Sequence, residues 1–267
     1  MPTEEEDREW QEYMEELAAG GTAGDSLRYQ PVYDVTEHRL SASLLDDRPR
    51  DVSVAREALH PYFHVDDAFI LHNVLSEAEC ARVIAYTQER EAALRTIDCS
   101  QRVVRRLSAM GEEFAEKLFR RVQDFMAPVH VTVDASALGV DTDAVACGRW
   151  TAAGLNPCFR ICHYSPGGFF QPHIDGGFEV DCSHRSIKTF MVYLNDGFHG
   201  GTTNFFNDKQ LLYQAPKQEN IVSAFTPKVG SCLVFNSGLL HDGGRLMDTG
   251  PVKQKWIFRS EVMYKKQ

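Results

Sequence analysis

No apolar run in this 267-residue chain reaches the roughly 18 residues of a membrane-spanning helix, so no helical span is expected. The chain also lacks a Cys-x-x-Cys pair. Its seven cysteines, at positions 80, 99, 147, 158, 162, 182 and 232, are odd in number and scattered, which fits reduced thiols better than a disulfide framework. A surplus of basic charge is missing as well: 28 Lys and Arg against 38 Asp and Glu leave a net charge of −10. That balance speaks against nucleic acid or an anionic membrane as partner, while leaving room for a local basic pocket. Internal repeats and low-complexity tracts are absent. The opening MPTEEEDREWQEYMEELAAGG has no basic-then-apolar signal pattern, so a cytoplasmic or nuclear location is expected.

Three regions follow from patterning. Residues 1–58 form an N-terminal arm, with a short acidic helix over 4–18 and then a segment without clear periodicity. Residues 59–150 are expected to be a helical support region. Phe69 to Val74 reads as a short strand, and Ser76-x-x-Glu79 is a capping box that opens a helix carrying Cys80, Val83, Ile84 and Thr87 on one face. A second helix is expected over 101–126, where Val103, Val104, Leu107, Met110, Phe114, Leu118, Val122 and Phe125 form an apolar stripe. Beyond residue 129 the pattern changes to short apolar or alternating runs: VHVTVDA, FRICHYS, IKTFMVYLN, NFF, ENIVSAF, SCLVFN and VKQKWIFRSEVMY. Turn residues separate them. The fold class is therefore α+β, mainly β: a jelly-roll sandwich over 151–267 with supporting helices on one face.

Within the strand-rich region, FQPHIDGG (170–177) places His173 and Asp175 one residue apart. In a strand, residues i and i+2 point the same way, so both side chains can meet one metal ion. A two-histidine, one-carboxylate set needs another imidazole. The best candidate is His241, which follows the apolar strand SCLVF. His163, His184, His199, His60 and His64 compete with it. His163 belongs to the opposite face of its strand from Tyr164, and Pro61 spoils a helical pairing of His60 with His64.

The ordered set Tyr164-Ser-Pro-Gly-Gly-Phe-Phe-Gln-Pro-His173-Ile-Asp175, Val192-Tyr193-Leu194-Asn195-Asp196, Gly200-Gly201-Thr202-Thr203-Asn204-Phe205, His241-Asp242-Gly243 and Lys255-Trp-Ile-Phe-Arg259-Ser-Glu-Val-Met-Tyr264 resembles the Fe(II)/2-oxoglutarate dioxygenases of the prolyl 4-hydroxylase group. The family's double-stranded β-helix agrees with the jelly roll read from patterning.

The resemblance implies that His173, Asp175 and His241 hold Fe(II), leaving positions for 2-oxoglutarate and O2. It also implies a cation for the far carboxylate of 2-oxoglutarate. Pro251 stands where the family commonly carries that cation, so the role shifts to Lys255, with Lys253 and Arg259 in the same strand phase as substitutes. Tyr193 and Tyr164 match positions that face the cosubstrate, and Thr203 is a further pocket candidate. The implied reaction converts 2-oxoglutarate to succinate and CO2 and hydroxylates an unactivated C–H bond, with ascorbate as a helper. No side chain beyond the metal centre needs a catalytic role. The substrate implied is a protein or peptide; the alternative is a free amino acid or other small molecule, with residues 176–185 as a lid and Arg185 touching it. A noncatalytic jelly-roll binding protein or an iron or oxygen sensor is the rival from another class.

Overall fold

The computed structural model describes residues 37–47, 54–59, 62–132 and 147–267. The acidic helix expected over 4–18, His60 and the end of VHVTVDA lie outside the described residues. From the arm, Leu40 and Leu45 are buried, and Ala55–Ala58 (β1) pairs with Ala68–His72 (β2) at the sheet edge.

The capping box opens the helix Glu77–Gln88 (α1): Ser76 accepts from the Glu79 amide, and the Glu79 carboxylate accepts from that of Ser76. Glu79 is fully buried and also pairs with Arg121 at 2.7 Å. The next expectation is corrected. Residues 101–126 are not one helix but a strand, Arg102–Met110 (β4), then Gly111, then the helix Glu112–Val122 (α2). β4 pairs with Arg95–Asp98 (β3) in a hairpin. The apolar stripe misleads because its first half feeds two faces: Val104 packs in one core and Leu107 in the other. Gly111 makes the break possible, since a Cβ there would come within 2.9 Å of Leu40 Cβ. The described part of residues 59–150 is thus a mixed region whose strands extend the sheet.

The remaining strands are Val129–Val131 (β5), Gly148–Leu155 (β6), Cys158–Tyr164 (β7), Phe169–His173 (β8), Glu179–Asp181 (β9), His184–Tyr193 (β10), Thr203–Phe206 (β11), Ile221–Phe225 (β12), Cys232–Asn236 (β13), His241–Gly243 (β14) and Lys255–Lys266 (β15); β6, β9 and β14 fall outside the expected runs, and β8 is the strand that ends at His173. Their order is β1-β2-β13-β10-β15-β7-β4-β8-β14-β11-β12, every pair antiparallel. β4 pairs with both β7 and β8, and the path turns there so that β8-β14-β11-β12 closes over the larger layer as a jelly roll.

Strand alternation divides the apolar residues into two cores. Outside the larger layer, Trp256 and Phe258 of β15 and Phe159 of β7 pack with Val83 of α1 and Phe114 and Leu118 of α2. Inside the roll, Ile257, Tyr193, Tyr164, Phe205 and Phe235 line the space between the layers. Among the described residues no helix is long and apolar enough to cross a membrane.

Candidate active site

His173 ends β8 and His241 begins β14, and the antiparallel register sets them directly opposite each other. Asp175 lies two residues past His173, its amide bonded to Ser237 O at 3.0 Å. The side chains converge: His173 Nε2 is 3.7 Å from Asp175 Oδ1, and His241 Nε2 is 3.6 Å from Asp175 Oδ2. One donor atom from each lies within 4.8 Å of the others, which leaves room for one ion about 2.1 Å from each.

Backbone carbonyls choose the tautomers. His173 Nδ1 sits 2.8 Å from Gln171 O, and His241 Nδ1 2.8 Å from Leu239 O. A carbonyl only accepts, so each Nδ1 carries the proton and each Nε2 keeps its lone pair for a metal. Burial, and then the nearby His241, lower His173 to about 3; burial lowers His241 too. Both rings are neutral donors at neutral pH. Burial alone would raise Asp175, but Arg259, the two imidazoles and Thr189 outweigh it and hold the carboxyl well below the usual range. Thr189 Oγ1 donates to Asp175 Oδ2 at 2.6 Å. Arg259 Nη2 stands 3.1 Å from Asp175 Oδ1, an ion pair without hydrogen-bond alignment. Two neutral imidazoles, one ionised carboxylate and a dry setting fit a divalent first-row metal, ferrous iron included.

A second cluster lies deeper in the roll. Lys255 is buried and donates to Gly201 O at 2.7 Å. Its ammonium is 5.3 Å from the Tyr164 ring centroid and 5.7 Å from that of Tyr193. The Tyr193 hydroxyl shares a 2.7 Å hydrogen bond with Thr203 Oγ1. Gly201, at φ +64°, permits the approach: a Cβ there would crowd Lys255 Cδ at 3.2 Å. Burial lowers Lys255 to about 8, with Asp242 opposing. Burial raises Asp242 to about 6 against hydrogen bonds from Asn204. Both tyrosine hydroxyls are pushed up by burial, so they remain protonated donors. Lys255 and Arg259 share one face of β15 about 13 Å apart along the strand, a span that two long side chains and a five-carbon diacid can fill.

The structure thus brings together His173, Asp175 and His241, and separately Lys255, Tyr193, Tyr164 and Thr203. Arg259 stands at Asp175 rather than beside Lys255. Two expectations are corrected. Lys253 is half-exposed and pairs with Asp248 at 2.8 Å, because the end of its loop turns outward. Arg185 bonds Glu179 at 2.8 Å and lies 5.5 Å over Trp150 of the outer core, because β9 folds residues 176–185 back on β10. His163 stacks on Trp256 at 4.1 Å, on the outer face. Thr189 and Asp242 were missed. Thr189 carried a usable signal, since it shares strand phase with Tyr193; Asp242 carried none beyond its neighbour His241.

Comparison with known proteins adds the following. Residues 159–259 match the family model of the 2OG-Fe(II) oxygenase superfamily. No curated protein matches the chain. Similar solved structures include a viral collagen prolyl hydroxylase from Paramecium Bursaria Chlorella virus-1 in its 2OG complex, at 17% identity over 74% of this chain and 96% of that one, TM-score 0.44. A Pseudomonas putida prolyl-4-hydroxylase is 15% identical over 76% and 94%, TM-score 0.47. HygX from Streptomyces hygroscopicus, with nickel, 2-oxoglutarate and hygromycin B bound, is 14% identical over 76% and 84%, TM-score 0.38.

Proposed function

We propose that this chain, whose residues 159–259 match the model of the 2OG-Fe(II) oxygenase superfamily, is an oxygenase of that kind and hydroxylates an unactivated C–H bond in the manner of the prolyl 4-hydroxylase group. His173, Asp175 and His241 are the iron ligands in this reading, and Lys255 is the anchor for 2-oxoglutarate. The observation that carries it is the juxtaposition, in one roll, of a His/Asp/His set whose imidazoles are neutral with a buried ammonium that donates only to a backbone carbonyl, Gly201 O. Bound ferrous iron supplies the reduction of O2 coupled to decarboxylation of 2-oxoglutarate.

The chain's own residues do the rest. Nδ1–H bonds to Gln171 and Leu239 aim both imidazoles, and Thr189 fixes the rotation of Asp175. Lys255 takes the far carboxylate of the cosubstrate, with the Tyr193 hydroxyl as an added donor that offsets desolvation. Phe205 and Phe235 pack against His241, with ring centroids 6.0 and 4.7 Å away, and keep water from that side.

Anaerobic addition of Fe(II) and 2-oxoglutarate to the purified protein tests the reading. A weak visible charge-transfer band is expected, lost in His173→Ala. No band at saturating ligand would overturn the assignment. Succinate formation on admitting oxygen separates a hydroxylase from a noncatalytic binding protein.

A further inference from the structure

The proposed reaction uses the metal triad and Lys255 but leaves a second set of cations on the inner wall without a task. Arg102 and Arg106 on β4, Arg160 on β7 and Arg259 on β15 share the inward phase of their strands. Arg160 is directly opposite Arg259 in the ladder, and Arg106 is opposite Cys162. Together they make an arc whose two ends reach the triad. At one end Arg259 Nη2 is 3.1 Å from Asp175 Oδ1. At the other, the Arg102 guanidinium lies 5.1 Å over the Phe170 ring, which stacks on His173 with centroids 3.5 Å apart. One aromatic ring separates that guanidinium from a metal ligand.

The charges in this arc do not balance. Buried Glu261 serves Arg160 at 2.6 Å and Arg259 at 3.3 Å, and Asp175 belongs to the triad. Among the described residues, Arg102 and Arg106 have no carboxylate partner and no hydrogen-bond acceptor. Burial pulls Arg106 below the ordinary guanidinium value, and Arg102, Arg160 and Arg259 add to that against Cys162. Such crowding in a partly desolvated space is unfavourable until an anion enters. It is also contrary to the chain's net charge of −10, so bulk composition does not explain it. In the reading above, both carboxylates of 2-oxoglutarate already have sites, one on Lys255 and one at the metal.

We propose that Arg102 and Arg106, backed by Arg160 and Arg259, grip a carboxylate of the molecule being oxidised, so that the substrate is an acid and not a neutral chain segment. The proposal rests on the oxygenase reading above. A guanidinium presents its donors as a planar fork that matches a carboxylate two bonds at a time, which fixes orientation as well as position. Because the arc meets Asp175 at one end and lies one ring, Phe170, from His173 at the other, the carbon to be oxidised is a few bonds from that acid group. A small amino-acid derivative and a Glu side chain beside a target residue in a peptide offer the same chemistry.

The test uses the whole chain loaded with Fe(II) and 2-oxoglutarate without oxygen. N-acetyl amino acids are titrated by calorimetry against their matching amides, and peptides with Glu beside proline against their Gln counterparts. One acid form is expected to bind at least tenfold more tightly than its neutral twin, and the arm in which this occurs names the source. Arg102→Gln and Arg106→Gln should erase the difference while the charge-transfer band and 2-oxoglutarate affinity persist, and Arg106→Lys should restore part of it. If Arg106→Gln does not fold, Arg102→Gln carries the comparison. Equal binding of acid and amide, or binding of neither, with the band intact would overturn the inference and leave the oxygenase reading standing. A fall in 2-oxoglutarate affinity in both variants would assign the arginines to the cosubstrate and overturn it too. Absence of the band would sink the oxygenase reading and any substrate role for the arc with it, even if acids bind.

Discussion

Glu79 and Asp175 are both buried beside arginines, on opposite sides of one sheet. Glu79, in the outer core, is closed off: Arg121 pairs with it, and the amides of Ser76 and Asp46 fill its remaining lone pairs. Burial alone would raise its pKa, but these partners outweigh it and hold the group at about 2. Asp175, inside the roll, is left open. Its oxygens face two unprotonated imidazole nitrogens, a hydroxyl and a poorly aligned guanidinium. A carboxylate whose every lone pair is answered within the chain holds the fold together. One with room beside two neutral nitrogens is set for something the chain does not contain.

The sharpest way to break this contrast is to delete each carboxylate. Asp175→Ala should abolish the Fe(II)–2-oxoglutarate band and turnover altogether, with little change in thermal stability; retention of the band would move the iron site elsewhere. Glu79→Ala should do the reverse. It strands a buried guanidinium, at a cost of about 3–5 kcal/mol on the denaturant midpoint, while the surviving folded fraction still forms the band. The same contrast shows in pH. Glu79 is lowered from 4.5 to about 2, so its contribution is complete above 4.5 and fades as pH falls toward 2. A flat stability profile across that window would contradict the closed pairing.

Lys255→Ala should weaken 2-oxoglutarate binding by about 2–5 kcal/mol without abolishing metal binding, measured by titrating the band. Because burial lowers Lys255 to about 8, affinity should be level below that pH. Above it, the ammonium loses its proton and affinity falls up to about tenfold per pH unit. Unchanged affinity in Lys255→Ala would pass the role to another cation. The smallest effect belongs to Lys253→Ala, which should alter neither stability nor cosubstrate affinity by more than about 0.5 kcal/mol, since only an exposed contact with Asp248 is lost.

What could be read in the sequence depended on whether a residue's neighbours along the chain revealed its direction. His173 and Asp175 are two apart in one run, and the Ser76–Glu79 box is self-contained, so both were legible. The pairing of His241 with His173 needed the motif order, because a strand ladder between β8 and β14 leaves no local trace. β4 was misread because Val103, Val104, Leu107 and Met110 recur at helix-like intervals, while the inward Arg102 and Arg106 broke the strand pattern by being charged. These two, with Arg160 and Arg259, escaped notice as a group because the four come from three strands. Arg185 looked available until β9 turned it toward Glu179, a tertiary fact with no sequence signature.

The short ladder between β14 and β8 has one more implication. Its rungs are His241 opposite His173 and Gly243 opposite Phe170, and through β14 it ties β11 and β12 to β8. A slip of β14 by one residue would turn His241 to the other side of the layer, away from His173. Any ion gripping the two rings therefore also rivets the seam of the roll, so that strand alignment and chemistry are secured by the same contacts.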